Sequence, residues 1–110
     1  MINKIKQALG MSGVGEEAIG SICTFAGIFA PKYFLNCDGS LLQINDNAAL
    51  FSVIGTMYGG DGIKTFGLPD LRPISNDGQP DTGHHRRVDW AQLNLPRQVI
   101  CVQGIYPNRP

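Results

Sequence analysis

The sequence predicts an α+β fold: a small β-rich domain with one central short helix, irregular loops and a preceding N-terminal helical and linker segment. Three observations predict it. Fourteen Gly and seven Pro in 110 residues imply many turns and short strands. Beyond the N-terminus, only residues 45–54 combine an apolar stripe at helical spacing with a start and a stop signal. The remaining apolar runs, at 19–27, 33–37 and 97–106, are short and punctuated by Gly, Pro and Asp, as strands are.

Residues 1–10 place Ile2, Ile5 and Leu9 on one helical face, with Gly10 as a stop. So short a helix is marginal alone in water and needs a docking surface. Residues 10–18 contain three glycines and no periodicity, which reads as a flexible linker. The expected organisation is therefore an attachment helix and linker at 1–18 and one domain at 19–110.

In residues 19–27 both faces of the first strand are apolar, Ile22, Thr24 and Ala26 on one and Cys23 and Phe25 on the other. That suits a strand covered on both sides or lying at a subunit interface. Asp38 and Gly39 stand between the apolar runs at 33–37 and 40–42. Both tolerate positive φ, so the spacing predicts a hairpin. In the helix, Asn45 is the expected N-cap, with Asp46 at the positive end of the dipole. Leu50, Val53 and Ile54 form the core stripe, Phe51 lies beside them, and Gly55 ends it.

Tyr58-Gly59-Gly60-Asp61-Gly62 is glycine-rich but has neither the G-K-[ST] ending of a phosphate loop nor a strand–GxGxxG–helix context. It reads as backbone needing unusual dihedral angles. Pro69 and Asp70 form a turn, and Pro69 places residues 65–72 at a sheet edge. Residues 73–92 are a polar excursion with no clear element. Excursions of this length in compact domains carry function or move. Residues 97–106 are a β-rich run expected to close the sheet.

Nine basic and nine acidic residues cancel. A neutral chain has no broad electrostatic attraction to nucleic acid, and little repulsion to keep copies apart. No run approaches the ~20 apolar residues of a membrane-inserting span, and no signal-peptide core of 7–15 apolar residues follows Lys4 and Lys6. Cytosolic synthesis and assembly are expected. Cys23, Cys37 and Cys101 are an odd number with no CxxC pair, which reads as three small buried residues rather than a disulfide framework.

Several strings resemble the phage tail collar domain family, which includes the bacterial microcystin-dependent proteins. They are Phe25-Ala26-Gly27, Phe29-Ala30-Pro31, Cys37-Asp38-Gly39, Leu42-Gln43-Ile44, the helix with Gly55-Thr56, Tyr58-Gly59-Gly60-Asp61-Gly62, and Thr65-Phe66-Gly67-Leu68-Pro69-Asp70-Leu71-Arg72. The ending from Ile100 to Arg109 resembles the closing strand of that family. Two departures stand out. Tyr33-Phe34 occupies the place where the family usually carries Gly-Trp, and only residues 73–96 stand where many members have a longer glycine-rich, receptor-binding region. The resemblance implies a structural, non-enzymatic role in a phage tail fibre, collar or tail tip. It implies a virion protein assembled in the host cytoplasm, commonly a homotrimer, in contact with other tail or baseplate proteins and with the host surface.

The candidate sites divide by residue chemistry. His84 and His85 are the only metal candidates; as neighbours on a strand they would point to opposite faces, so no metal and no cofactor is expected. His85, Arg86, Arg87 and Trp90 could contact an anionic surface glycan or a partner protein. Trp90 could equally plug the core or an interface. Asp38, Asp61 and Asp70 could suggest paired carboxylates for glycoside cleavage, but each sits beside Gly or Pro, where Asp caps turns. With Gly39, Gly59, Gly60, Gly62 and Pro69 they read as framework. The readings kept open are a virion structural protein, a carbohydrate-binding adhesion module and, third, a hydrolase.

Overall fold

A computed structural model describes residues 17–75 and 86–107. The elements run in chain order β1 (Ile22–Phe25), β2 (Phe34–Asn36), β3 (Leu41–Gln43), α1 (Ala48–Ile54), β4 (Thr65–Gly67), β5 (Ile74–Ser75), β6 (Arg86–Arg87), a 3-10 turn (Trp90–Leu93) and β7 (Arg97–Cys101). They form a three-stranded sheet of order β1-β7-β2 and two-stranded ribbons β3-β4 and β5-β6, all antiparallel. The sequence-based fold class holds: short strands, one short helix and much irregular chain.

The last strand is the middle one. Val99, Ile100 and Cys101 are buried, as the non-alternating run Val99-Ile100-Cys101-Val102 permits for a strand covered on both faces. β1 pairs with it over Ile22↔Ile100 to Phe25↔Arg97, and β2 over Phe34↔Cys101 to Asn36↔Val99. Ile22, Cys23 and Thr24 are exposed, so β1 is not covered on both sides within one chain.

The expected hairpin at Asp38-Gly39 is absent. β2 and β3 do not pair with each other; β2 lies on β7 and β3 on β4. The segment between them changes sheets. The Cys37 N–H donates to Gln98 O, whereas the Gly39 N–H donates to Pro69 O and Ser40 O accepts from the Leu68 N–H. Gly39 does adopt φ +80, but it serves a crossover, and Asp38 pairs across a bridge with Asp70. Of the two turn residues only Gly39 takes positive φ, so the two-residue hairpin turn does not form, and the tertiary partner of each strand is not visible in the local sequence.

The helix begins later than expected. Its N-cap is Asn47, not Asn45, and no side chain caps it. The Ile44 N–H is tied to Lys64 O and the Asn47 N–H to Ile44 O, which holds residues 44–46 in a turn and leaves Asp46 outside the first helical turn. Gly55 ends the helix at φ 57, its N–H donating to Phe51 O. Leu50 is fully buried, Phe51 and Ile54 pack on the core, and Val53 faces outward at 36% exposure. The buried stripe is thus rotated toward Phe51, whose ring meets Phe66 at 5.4 Å and 57°.

Ile19, Cys37, Leu50, Phe66, Leu68 and Ile100 form the core cluster, joined by Leu35, Leu42, Ile44 and Val102. Burying the larger of these side chains contributes about 1.5–3 kcal/mol each, set against the entropy of ordering the chain. Cys37 and Cys101 are buried free thiols, but Cys23 is exposed, contrary to expectation, because it lies on the uncovered edge strand. The first described residues are already paired: Ala18 bridges Ile105, and the Ile105 N–H donates to Glu17 O. The expected attachment helix lies outside the described residues.

Candidate functional site

The glycine loop is built by Asp61. One oxygen of its carboxylate accepts the N–H groups of Ile63, Lys64 and Thr65 at 2.8, 2.9 and 3.0 Å. These bonds hold its pKa at about 2, below the usual carboxylate range, the Thr65 bond weighing most. Gly59, Gly60 and Gly62 take positive φ. At Gly60 a Cβ would run into the backbone of Thr65 and Phe66, so only glycine lets the loop lie on β4. The loop is closed on its own backbone and presents no cradle of unused N–H groups.

Asp70 is fixed in a similar way. The Arg72 backbone N–H and Nε donate to its Oδ1 at 3.2 and 3.0 Å, and Arg72 Nη2 to Oδ2 at 2.9 Å. The bond from the Arg72 guanidinium lowers the pKa of this carboxyl. Asp38 accepts the Ser40 N–H and the Ser40 hydroxyl. Asp38 and Asp70 are therefore neighbours, bridged through backbone, while Asp61 belongs to the separate glycine loop. A glycosidase needs one carboxyl to donate a proton and one to stay ionised. Asp61 and Asp70 are both held below the usual carboxylate range, on the ionised side.

The described ends of the polar excursion pair as a two-stranded ribbon, the root of an arm. β5 and β6 pair as Ile74↔Arg87 and Ser75↔Arg86, and the Val88 N–H continues the ladder to Pro73 O. Arg86 and Arg87 are exposed on it. Arg87 Nη1 donates to Arg72 O at 2.6 Å, and its Nε lies 3.8 Å from Asp70. The root of the arm is thus fastened to the Pro69-Asp70-Leu71-Arg72 turn. His84 and His85 lie outside the described residues. Among the described residues, no group of three or more His, Cys, Asp or Glu is placed to hold a metal ion, and no helix is long and apolar enough to cross a membrane.

Trp90 is only 3% exposed. Asp89 caps the 3-10 turn by accepting the Ala91 N–H at 3.0 Å, and Asn94 ends it in the left-handed conformation. This turns the indole inward, where it offers no open ring face to a sugar. Trp90 instead lines an open apolar depression of about 220 Å³ with Leu71, Pro73, Leu95, Pro96 and Gln98.

Sequence reasoning overlooked Arg97. It is buried, yet no carboxylate pairs with it among the described residues. Its Nε donates to Gly27 O at 2.9 Å, its Nη2 to Ile28 O at 3.0 Å and its Nη1 to Asn36 Oδ1 at 3.1 Å. The one signal in the sequence was an arginine opening a β-rich run.

The comparisons agree with this framework. The phage tail collar domain model matches residues 20–74, half of the 110-residue chain. No curated protein matches the chain. The matched segment contains β1 through β4, the helix, the Asp61 loop and the Asp70–Arg72 turn. The chain therefore belongs to the phage tail collar domain family, whose domain is a structural one found in phage tail proteins.

Proposed function

We propose that this protein is a homotrimeric component of a phage tail, at a fibre, collar or tail tip, where it contributes to virion assembly and host attachment. The observation that carries the reading is the collar-domain match across the entire framework from β1 to the Asp70–Arg72 turn. The conspicuous carboxylates Asp38, Asp61 and Asp70 bind the chain's own backbone or arginines, as in a scaffold. Ile28, Phe29, Met57 and Ile63 are large and mostly exposed. Apolar exposure of this kind marks protein interaction surfaces.

In this reading residues 1–18 attach the domain to neighbouring tail or baseplate proteins. The arm carrying Arg86 and Arg87, with His84 and His85 next to it in sequence, faces a partner or a host surface glycan. Trp90 anchors the root of the arm. The protein acts without catalysis and without a cofactor, and is assembled in the host cytoplasm.

The test is made on particles. The chain should be detected in purified virions, and its deletion should give particles defective in tail completion or adsorption. Arg86→Ala with Arg87→Ala should reduce adsorption while leaving particle assembly intact. Absence from purified virions would contradict the structural role; undiminished adsorption of the double variant would contradict the part given to the arm.

A further inference from the structure

Asp-Gly pairs carry a reaction of their own. Glycine has no Cβ to shield its amide nitrogen, so that nitrogen can reach the carboxyl carbon of the aspartate before it. The chain has three such pairs, Asp38-Gly39, Asp61-Gly62 and Asp77-Gly78. The third lies outside the described residues. Exposure alone would single out Asp61, which stands open on the glycine loop, whereas Asp38 is half-buried. The hydrogen bonds reverse that order.

At Asp61 both reacting groups are held. Its Oδ1 is locked by the N–H groups of Ile63, Lys64 and Thr65, and the Gly62 N–H, the nucleophile, donates to Thr65 O at 2.9 Å. The carboxyl sits at about 2, so its neutral form, the one that reacts, is scarcer than in an ordinary aspartate. At Asp38 the restraints are fewer. Its Oδ1 takes donors from one residue, the N–H and hydroxyl of Ser40, and Gly39 and Ser40 are exposed to water. The Gly39 N–H reaches Pro69 O only at 3.3 Å, beyond the usual range for such a bond.

We propose that Asp38-Gly39 is a site of spontaneous covalent modification, where aspartate passes through a cyclic succinimide to isoaspartate, while Asp61-Gly62 is protected. The Gly39 nitrogen bonds to Cγ of the neutral Asp38 carboxyl and sheds its proton, which leaves with the carboxyl hydroxyl as water. Water then reopens the ring. Opening at the former main-chain carbonyl leaves the chain running through Cγ, with unchanged composition and nothing oxidised or reduced. The product has one more backbone carbon at the point where the chain leaves the three-stranded sheet for the β3-β4 ribbon. On either side, Cys37 O accepts the Leu71 N–H and Ser40 O the Leu68 N–H, both at 2.9 Å. A Cβ on Gly39 would already meet Asp70 at 3.1 Å. The crossover has no slack for an added carbon, so isoaspartate unties the ribbon from the sheet. The reaction needs no partner and does not depend on the place of the domain in a tail.

The test ages the purified full chain for weeks at neutral pH and body temperature in heavy-oxygen water, which marks each reopened ring with one heavy oxygen. Digestion and electron-transfer fragmentation then tell isoaspartate from aspartate. Label and isoaspartate should accumulate about tenfold faster at residue 38 than at residue 61, the factor expected when about one more net hydrogen bond must open at Asp61. Ser40→Ala, which takes one donor off Asp38, should raise the rate at 38 and leave that at 61 unchanged. The aged wild type should develop a second, lower melting transition. Asp38→Glu, whose longer side chain would have to close a six-membered ring, should develop none. Equal rates at the two residues, or a faster one at 61, overturn the proposal. Isoaspartate at 38 with an unaltered melt overturns the structural consequence drawn from it.

Discussion

Arg97 stands over Trp90, its guanidinium carbon 5.9 Å from the ring centroid, while the same side chain donates to the carbonyls of Gly27 and Ile28. Three parts of the chain far apart in sequence, the loop after β1, the central strand and the 3-10 turn, meet on one buried cation. The carbonyl oxygens and the ring face stand in for a carboxylate partner, which makes a charge tolerable at this depth.

Replacing Arg97 should therefore loosen the loop and the Trp90 turn together. Arg97→Met loses hydrogen bonds to three oxygens and leaves those acceptors underused, a loss of about 3 kcal/mol. Arg97→Lys should recover less than half of it, because an ammonium cannot span three acceptors set in a planar fork. Chemical denaturation of the three proteins decides this; equal stability of the lysine variant and the wild type would refute the geometric argument.

Tyr33 adopts φ 71, a left-handed conformation that penalises any side chain. It is also the place where the family usually carries glycine. Tyr33→Gly should be more stable than Tyr33→Ala by about 1 kcal/mol, the reverse of the ordinary order of these residues. Thermal melts of the two variants measure the difference directly. The Lys32 ammonium, 5.2 Å from the Tyr33 ring centroid, loses its partner in both and cancels in the comparison.

The Asp61 loop gives a pH prediction. Its carboxyl is lowered from 3.8 to about 2 in the folded chain. A lowered folded pKa stabilises above the unfolded value and loses that effect as pH falls. The loop should hold above about pH 4 and open between about pH 4 and 2. Asp61→Asn should lower the exchange protection of the Ile63, Lys64 and Thr65 amides about tenfold at neutral pH and remove the loss of protection between about pH 4 and 2. Unchanged exchange at these amides would show that the loop does not need the charge.

The cysteines separate by position. Burial, reinforced by the Asp38 carboxylate, pushes the Cys37 thiol up to about 11, and burial raises Cys101 as well. Alkylation of the native chain should modify Cys23 alone, with Cys37 and Cys101 reacting only after denaturation. Rapid native labelling of Cys37 would contradict its placement in the core.

Much of the framework was legible in the sequence because it is local. Glycines with positive φ and aspartates that cap turns act within a few residues, so Gly39, Gly60 and Asp61 could be read from their neighbours. What escaped was non-local. Asp38-Gly39 looked like a hairpin because nothing nearby says that β2 belongs to β7 and β3 to β4. The helix started at Asn47 because Lys64 holds Ile44 back. Trp90 sits in a polar stretch that left open whether it meets a ligand or plugs the core, and the residues that decide for the core, Arg97 and the Asp89-capped turn, act through tertiary contacts. Arg97 itself carries no local signal of its three distant acceptors.

The central claim is that this collar-domain chain is a self-assembling structural part. The native mass of the full chain at micromolar concentration, by sedimentation or light scattering, tests it most directly. The account predicts a mass three times that of the 11.9 kDa chain. A stable monomer at that concentration would contradict it.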